Sequence, residues 1–255
     1  MPNVLNHPEL VFIVSFVIMW ASARIGATLL RRFRKIADDA HDDFSVIQAA
    51  TLTLLALIIG FTFSMAVGRY DQREHFEEEE ANAIGTAYLR ADLLPAAESA
   101  ALRSALTSYL DQRVLFYTTR DPRALERVDS ESARLQNRMW SAVRSAAAAQ
   151  PTPIAALVVT AVNDVLNTQG YAQAAWWNRI PAAAWGLMAV MAMCANLLVG
   201  YGARALKAGE GLLLVVPLVV SLAFTLIADI DSPRGGMIHV QPLNLQALVQ
   251  SLRPH

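Results

Sequence analysis

The sequence holds a single cysteine, Cys194, which excludes an intrachain disulfide and any cysteine-based metal site. Charged residues are scarce, at 17% of the chain, where soluble domains carry about 25%. The formal net charge is −1, so no basic surface asks for nucleic acid. A glycine-rich phosphate loop, an HExxH pair and a GxSxG elbow are all absent, and the five histidines never fall at ligand spacing. Enzymatic chemistry, a bound metal and a cofactor are therefore not expected. Lysine and arginine are also missing from Met1 to Glu9. A cleavable signal peptide needs a basic start, so that absence weighs against cleavage even though Ala21-Ser22-Ala23 resembles a cleavage site.

What the chain has instead is long apolar runs. A bilayer core of about 30 Å requires roughly 20 apolar residues in a helix. Leu10 to Leu30 meets this, interrupted only by Arg24, whose guanidinium is close enough to the segment end to reach the headgroups. Val46 to Gly68 meets it with no ionisable side chain. Ile180 to Tyr201 is a third run, with Trp176, Trp177 and Trp185 as interfacial aromatics and Pro181 in its first turn. Gly211 to Ile230 is a fourth, with Pro217 as an expected kink. Helical spacing continues from Val46 past Gly68 to Leu94, and Pro95 is the first proline after it. One helix leaving the membrane without a break is the reading.

Polar stretches separate these runs. Arg31, Arg32, Arg34 and Lys35 are followed by Asp38, Asp39, Asp42 and Asp43, read as a solvated turn with Asp43 or Ser45 as N-cap. Pro95 to Tyr117 has Leu102, Leu106, Tyr109, Leu110 and Val114 at helical spacing. Asp121-Pro122 opens a helix through Leu125, Val128, Leu135, Met139 and Val143, and Thr152-Pro153 opens another through Ile154 to Leu166. The expectation is an all-α integral membrane protein with four transmembrane helices in two hairpins, residues 1–68 and 179–231. Residues 69–178 form a helical extramembrane module between them. A short tail, 232–255, ends in a helix or strand over Leu243 to Leu252.

Four groups of residues stand out as candidate sites. Gly60, Ser64 and Gly68 recur every four residues, a spacing that lets membrane helices approach closely. Thr53, Leu57 and Phe61 form a stripe at i, i+4 and i+8, which is either ordinary core or a hydrophobic constriction of a pore. Arg69 and Arg73 precede Glu77, Glu78, Glu79 and Glu80. Four carboxylates in a row sweep most of a helix circumference, so at least one faces the packing partner. Desolvating it unpaired would cost several kcal/mol. That side of the helix must be wet, paired with an arginine such as Arg90, Arg103 or Arg113, or part of an aqueous vestibule. Asn196 and Asp229 are the intramembrane polar candidates, and Asp229 is near enough to the boundary for a surface contact with Arg234.

Gly60-Phe61, Val67 and Arg69-Tyr70 resemble the second membrane helix of the bestrophin anion channels. The segments LIIGFTFSMAVGRYDQ, EEEANAIGTAYLRADLLP, IPAAAWGL and LIADIDSPRGG resemble the bacterial bestrophin-like family of four-span membrane proteins across nearly the whole chain. The resemblance implies a homo-oligomer, a pentamer, in the bacterial plasma (inner) membrane, with the second helices lining a pore for small inorganic ions. The channels' narrow neck maps onto Thr53, Leu57 and Phe61, and Thr53 departs from it by being polar. The acidic calcium clasp of true bestrophins has no counterpart in the short tail, so calcium gating is not implied. Two signals disagree on where the module lies. Arg31 to Lys35 with Arg204 and Lys207 place it outside by the positive-inside rule, whereas bestrophin-like topology places it in the cytoplasm. Two functions stay open: an oligomeric ion channel, anion-selective by resemblance, or a non-conducting membrane scaffold or sensor whose module binds a protein partner.

Overall fold

The structure is a computed structural model and describes residues 6–30, 41–203 and 211–253. The basic and acidic residues of the first loop (Arg31, Arg32, Arg34, Lys35, Asp38, Asp39), and Arg204 and Lys207 of the last link, lie outside the described residues. Among the described residues every regular element is helical. They are α1 (Pro8–Ile25), continued by a π-helical turn over Gly26–Leu30, then α2 (His41–Arg90), α3 (Ala96–Thr118), α4 (Pro122–Ala149), α5 (Pro153–Trp177), α6 (Ala182–Gly202), α7 (Leu212–Asp231) and α8 (Leu243–Leu252). Among the described residues four helices are long and apolar enough to cross a bilayer, and the chain is an all-α membrane protein.

The long central helix runs unbroken for 50 residues, about 75 Å at 1.5 Å per residue. It begins earlier than expected, so Asp42 and Asp43 lie within its first turn rather than before it, where they complement the helix dipole. Ser45 is not a cap either; its hydroxyl donates to the Asp42 carbonyl at 2.7 Å. The expected starts at Asp121 and Thr152 form as read. The Asp121 carboxylate accepts from the amides of Arg123 and Ala124, and the Thr152 hydroxyl accepts from Ala155. The open choice at Leu243 to Leu252 resolves as a helix.

The chain divides into two compact units. One comprises Met1–Arg69 and Arg179–His239, the other Tyr70–Asn178 and Val240–His255. The tail that the sequence sets apart from residue 232 is thus shared between them, because α8 packs on α3.

In the membrane unit α1 lies along both α6 and α7. Two glycines let α1 and its π turn meet α6 backbone to backbone. A Cβ on Gly200 would fall on the Ala23 carbonyl, and a Cβ on Gly26 would fall on the Leu197 carbonyl. Phe44 at the start of α2 meets Tyr201 of α6 edge-on at 5.5 Å. Arg24 lies with its guanidinium 5.9 Å from the Trp20 ring.

The helical unit is built from the outer half of α2 with α3, α4 and α5. Its core contains Ile84, Leu102, Leu106, Leu110, Phe116, Leu135, Met139, Val158 and Val165. The periodic residues of α3 and α4 supply most of it, with Val114 and Leu125 only partly covered.

Candidate functional site

At about 100° per residue, the buried positions of α2 form one continuous stripe. Leu55, Thr62 and Ala66 are buried in the membrane unit, and Arg73, Glu77, Glu80 and Ile84 are buried in the helical unit. Thr53, Leu57 and Phe61 point roughly the opposite way, and so do Gly60, Ser64 and Gly68. All six are exposed in the single chain, Leu57 at 51% and Phe61 at 63%. Among the described residues nothing lies within 4 Å of a Cβ added at Gly60 or Gly68. The two stripes flagged by spacing are therefore one exposed face, and neither is covered by another of the described residues. The Thr53 hydroxyl donates to the Ala49 carbonyl one turn back at 2.9 Å, so its proton is taken up by the backbone.

The charged run does not form a single vestibule. Arg73, Glu77 and Glu80 are each 1% exposed, buried inside the helical unit, which takes three of the six residues out of the vestibule reading and, for Glu80, matches the reading of a carboxylate paired with Arg113. Glu78 is exposed, while Arg69 and Glu79 are intermediate. Glu79 lies 3.3 Å from His75 one turn back. The burial is tolerated because each group has partners. Arg73 donates from Nε to the Ala175 carbonyl and from Nη2 to the Asn178 carbonyl, both at 3.3 Å. It thereby places a positive charge on the C-terminus of α5, where the helix dipole favours it. Glu77 accepts from the Leu245 amide at 2.9 Å and from the Asn244 side chain at 2.7 Å, capping the N-terminus of α8.

Glu80 is held by Arg113, Nε to Oε1 at 2.8 Å and Nη2 to Oε2 at 3.2 Å, and by the Tyr117 hydroxyl at 2.8 Å. The Arg113 guanidinium also lies 4.2 Å from the Phe116 ring. Burial raises the Glu80 carboxyl above its ordinary value, and Arg113 and Tyr117 pull it down without cancelling that rise. Burial opposes the Arg113 charge, but Glu80 outweighs it and the guanidinium stays firmly protonated. Burial likewise raises the phenols of Tyr109 and Tyr117.

The two intramembrane candidates separate. Asn196 is fully buried, donating to the Ala192 carbonyl at 2.8 Å, and its Oδ1 has no hydrogen-bond partner among the described residues. Asp229 is a loop anchor. Its two carboxylate oxygens accept from the amides of Met237 and Ile238 at 2.8 and 2.9 Å, and Gly236, at φ +78°, leaves the room for it. Spacing gave no sign of Asp231, which is buried, accepts from the Ile180 amide at 3.0 Å and faces Arg179 Nε at 3.4 Å. Among the described residues no group of three or more His, Cys, Asp or Glu converges as metal ligands do.

A family model described as a bestrophin-like domain matches residues 14–245. No curated protein sequence matches the chain. Solved structures do. One is a crystal structure of a bacterial bestrophin homologue from Klebsiella pneumoniae, phased on zinc. It is 16% identical with a TM-score of 0.64, over 95% of this chain and 94% of that one. A point mutant of a bacterial bestrophin homologue from the same organism is 15% identical with a TM-score of 0.64, over 96% and 97% of the two chains. At such identity the likeness is one of fold.

Proposed function

Because the chain belongs to the bestrophin-like family, we propose that it is an oligomeric ion channel of the bacterial plasma membrane, with five copies of α2 around a central path and a preference for anions. The observation that carries this reading is the free face of α2. A helix that buries Leu55, Thr62 and Ala66 in its own chain presents Thr53, Leu57 and Phe61 to whatever lies outside. Repeated around an axis, Leu57 and Phe61 of such a stripe form apolar rings that can close by dewetting, with Thr53 the polar departure. The small residues Gly60, Ser64 and Gly68 on that face allow neighbouring copies to approach. Burial of Glu77 and Glu80, the latter neutralised by Arg113, takes two of four carboxylates off the candidate path.

The test is ion flux in proteoliposomes of purified protein. Wild type conducts, Phe61→Ala raises the flux or changes its selectivity, and mild detergent retains a ring of five. The scaffold reading rests on the same face, since Gly60 and Gly68 suit close helix contact without a lumen. A sealed dimer indifferent to Phe61→Ala would establish that reading and end the channel one.

A further inference from the structure

Inside the helical unit, α4 packs between α3 and α5 and is joined to each by a short turn, residues 119–121 and 150–152. Helices so connected run antiparallel. One residue fixes their register. Gln136 of α4 donates from its side-chain amide to the Tyr109 hydroxyl of α3 at 3.5 Å and to Gln169 Oε1 of α5 at 3.3 Å. One turn onward along α3 and α5 is one turn back along α4, so the next layer of the bundle is Arg113, Ser132 and Gln173.

That layer differs from its neighbour. Each of its three side chains has a buried polar atom with no hydrogen-bond partner among the described residues: Arg113 Nη1, Ser132 Oγ and Gln173 Oε1. Arg113 is 0% exposed and Ser132 is 3% exposed. Glu80 engages Nε and Nη2 of Arg113, so Nη1 is on the edge of the guanidinium turned away from the carboxylate. A helical serine commonly donates to the carbonyl one turn back, as Ser130 does to Glu126 at 2.8 Å, and Ser132 does not. Buried polar groups without partners are costly, and three on one layer ask for a common partner. The pore reading makes no use of them.

The chemistry of the three atoms selects that partner. Arg113 and Ser132 offer protons and Gln173 accepts one. An apolar group satisfies none of them. A cation is repelled by the guanidinium. An anion would meet the Gln173 carbonyl oxygen, and Glu80 already neutralises Arg113. We propose that one ordered water binds in this layer, accepting from Arg113 Nη1 and Ser132 Oγ and donating to Gln173 Oε1. Three partners are the usual complement of a buried water. The water ties α3, α4 and α5 together and, through the pair of Arg113 with Glu80, joins them to α2.

The experiment is a crystal structure of the purified full chain at a resolution that shows ordered water, with a second crystal grown in bromide. A single peak within hydrogen-bonding distance of all three atoms is expected, without anomalous signal in bromide. No peak, a bromide signal at the peak, or direct hydrogen bonds among the three side chains would overturn the proposal. Unfolding in detergent gives an independent reading through Ser132→Ala, Gln173→Leu and the double variant. A shared water couples the two side chains, so the double variant loses less than the two singles predict. The shortfall expected is about threefold to tenfold in the unfolding equilibrium constant, the worth of one hydrogen bond. Ser130→Ala, an exposed site on the same helix, should add to Gln173→Leu without coupling. Costs of Ser132→Ala and Gln173→Leu that simply add would overturn the bridge.

Discussion

Glu80 and Arg113 meet in the interior of the helical unit, carboxylate to guanidinium at 2.8 Å, both sealed from solvent. Removing one partner of a buried pair typically costs 3–5 kcal/mol, roughly, while replacing both by apolar groups is often neutral. The two single losses are not equivalent here. A carboxyl can take up a proton, but a guanidinium cannot release one. Glu80→Met is therefore expected to cost about 3–5 kcal/mol, Arg113→Met less, and the double variant least. Thermal unfolding of the three in one detergent measures the order, and equal costs for the two single variants would refute it.

The same pair sets a pH dependence. Burial raises Glu80 above its ordinary 4.5, so the folded state holds that proton better than the unfolded one. The group's contribution is complete below 4.5 and is lost as pH rises through the folded value. Arg113→Met removes the chief influence holding that value down and moves the loss to higher pH. Its deficit relative to wild type should grow from acid toward neutral pH in unfolding experiments. A deficit independent of pH would show that Glu80 does not titrate in this way.

Gly200→Ala and Gly60→Ala should behave oppositely. The first places a methyl on the Ala23 backbone, where no flexible side chain can yield, while the second meets nothing within 4 Å. Gly200→Ala is expected to lose at least about 1–3 kcal/mol of stability. Gly60→Ala should leave the isolated chain's fold intact and shift only its assembly. Unfolding and oligomer mass, measured together, separate the two effects.

Glu77→Ala should release the C-terminal helix. A helix of ten residues is marginal alone, and here its first turn is satisfied from α2. Loss of the cap is expected to cost about 0.5–2 kcal/mol. It should also speed hydrogen exchange at Leu245 and its neighbours, while the amides around Leu106 in α3 stay protected. Unchanged exchange at Leu245 would mean that packing of Leu245 and Leu248 suffices.

Asp229→Ala removes two hydrogen bonds to a charged acceptor, each worth about 1.5–3 kcal/mol. Asp229→Asn keeps one acceptor oxygen and should recover part of the loss. If flux survives in Asp229→Asn proteoliposomes, the carboxylate serves the fold rather than permeation.

The spans and the cap residues Asp121 and Thr152 were legible because apolar run length and capping chemistry are local properties. The long central helix was legible for the same reason, since no glycine or proline pattern breaks it before Pro95. Burial of Arg73, Glu77 and Glu80 was not. Four carboxylates in a row meant that at least one faced the packing side, with Arg113 among the candidate partners, but which of them are buried, and that Arg73 and Glu77 meet Asn178 and Leu245, is set by tertiary contact. The glycines illustrate the difference. Spacing drew attention to Gly60 and Gly68, which meet nothing among the described residues, and passed over Gly26 and Gly200, where α1 with its π turn and α6 come backbone to backbone. Those two lie far apart in sequence, so no local repeat could mark them. The exposed face of α2 was half legible. Its residues could be named from periodicity, but which side the chain itself would cover could not.

The membrane unit is assembled from two stretches of chain separated by residues 70–178. Ribosomes add about 5–20 residues per second, so the early helices wait roughly five to twenty seconds before α6 emerges. Throughout that interval Ala23 and Gly26 stand bare in the lipid, with the backbone groove that Gly200 and Leu197 will fill still empty. The membrane unit is therefore completed only once the intervening helices have been made, and closure of its backbone-to-backbone contact is timed by their translation.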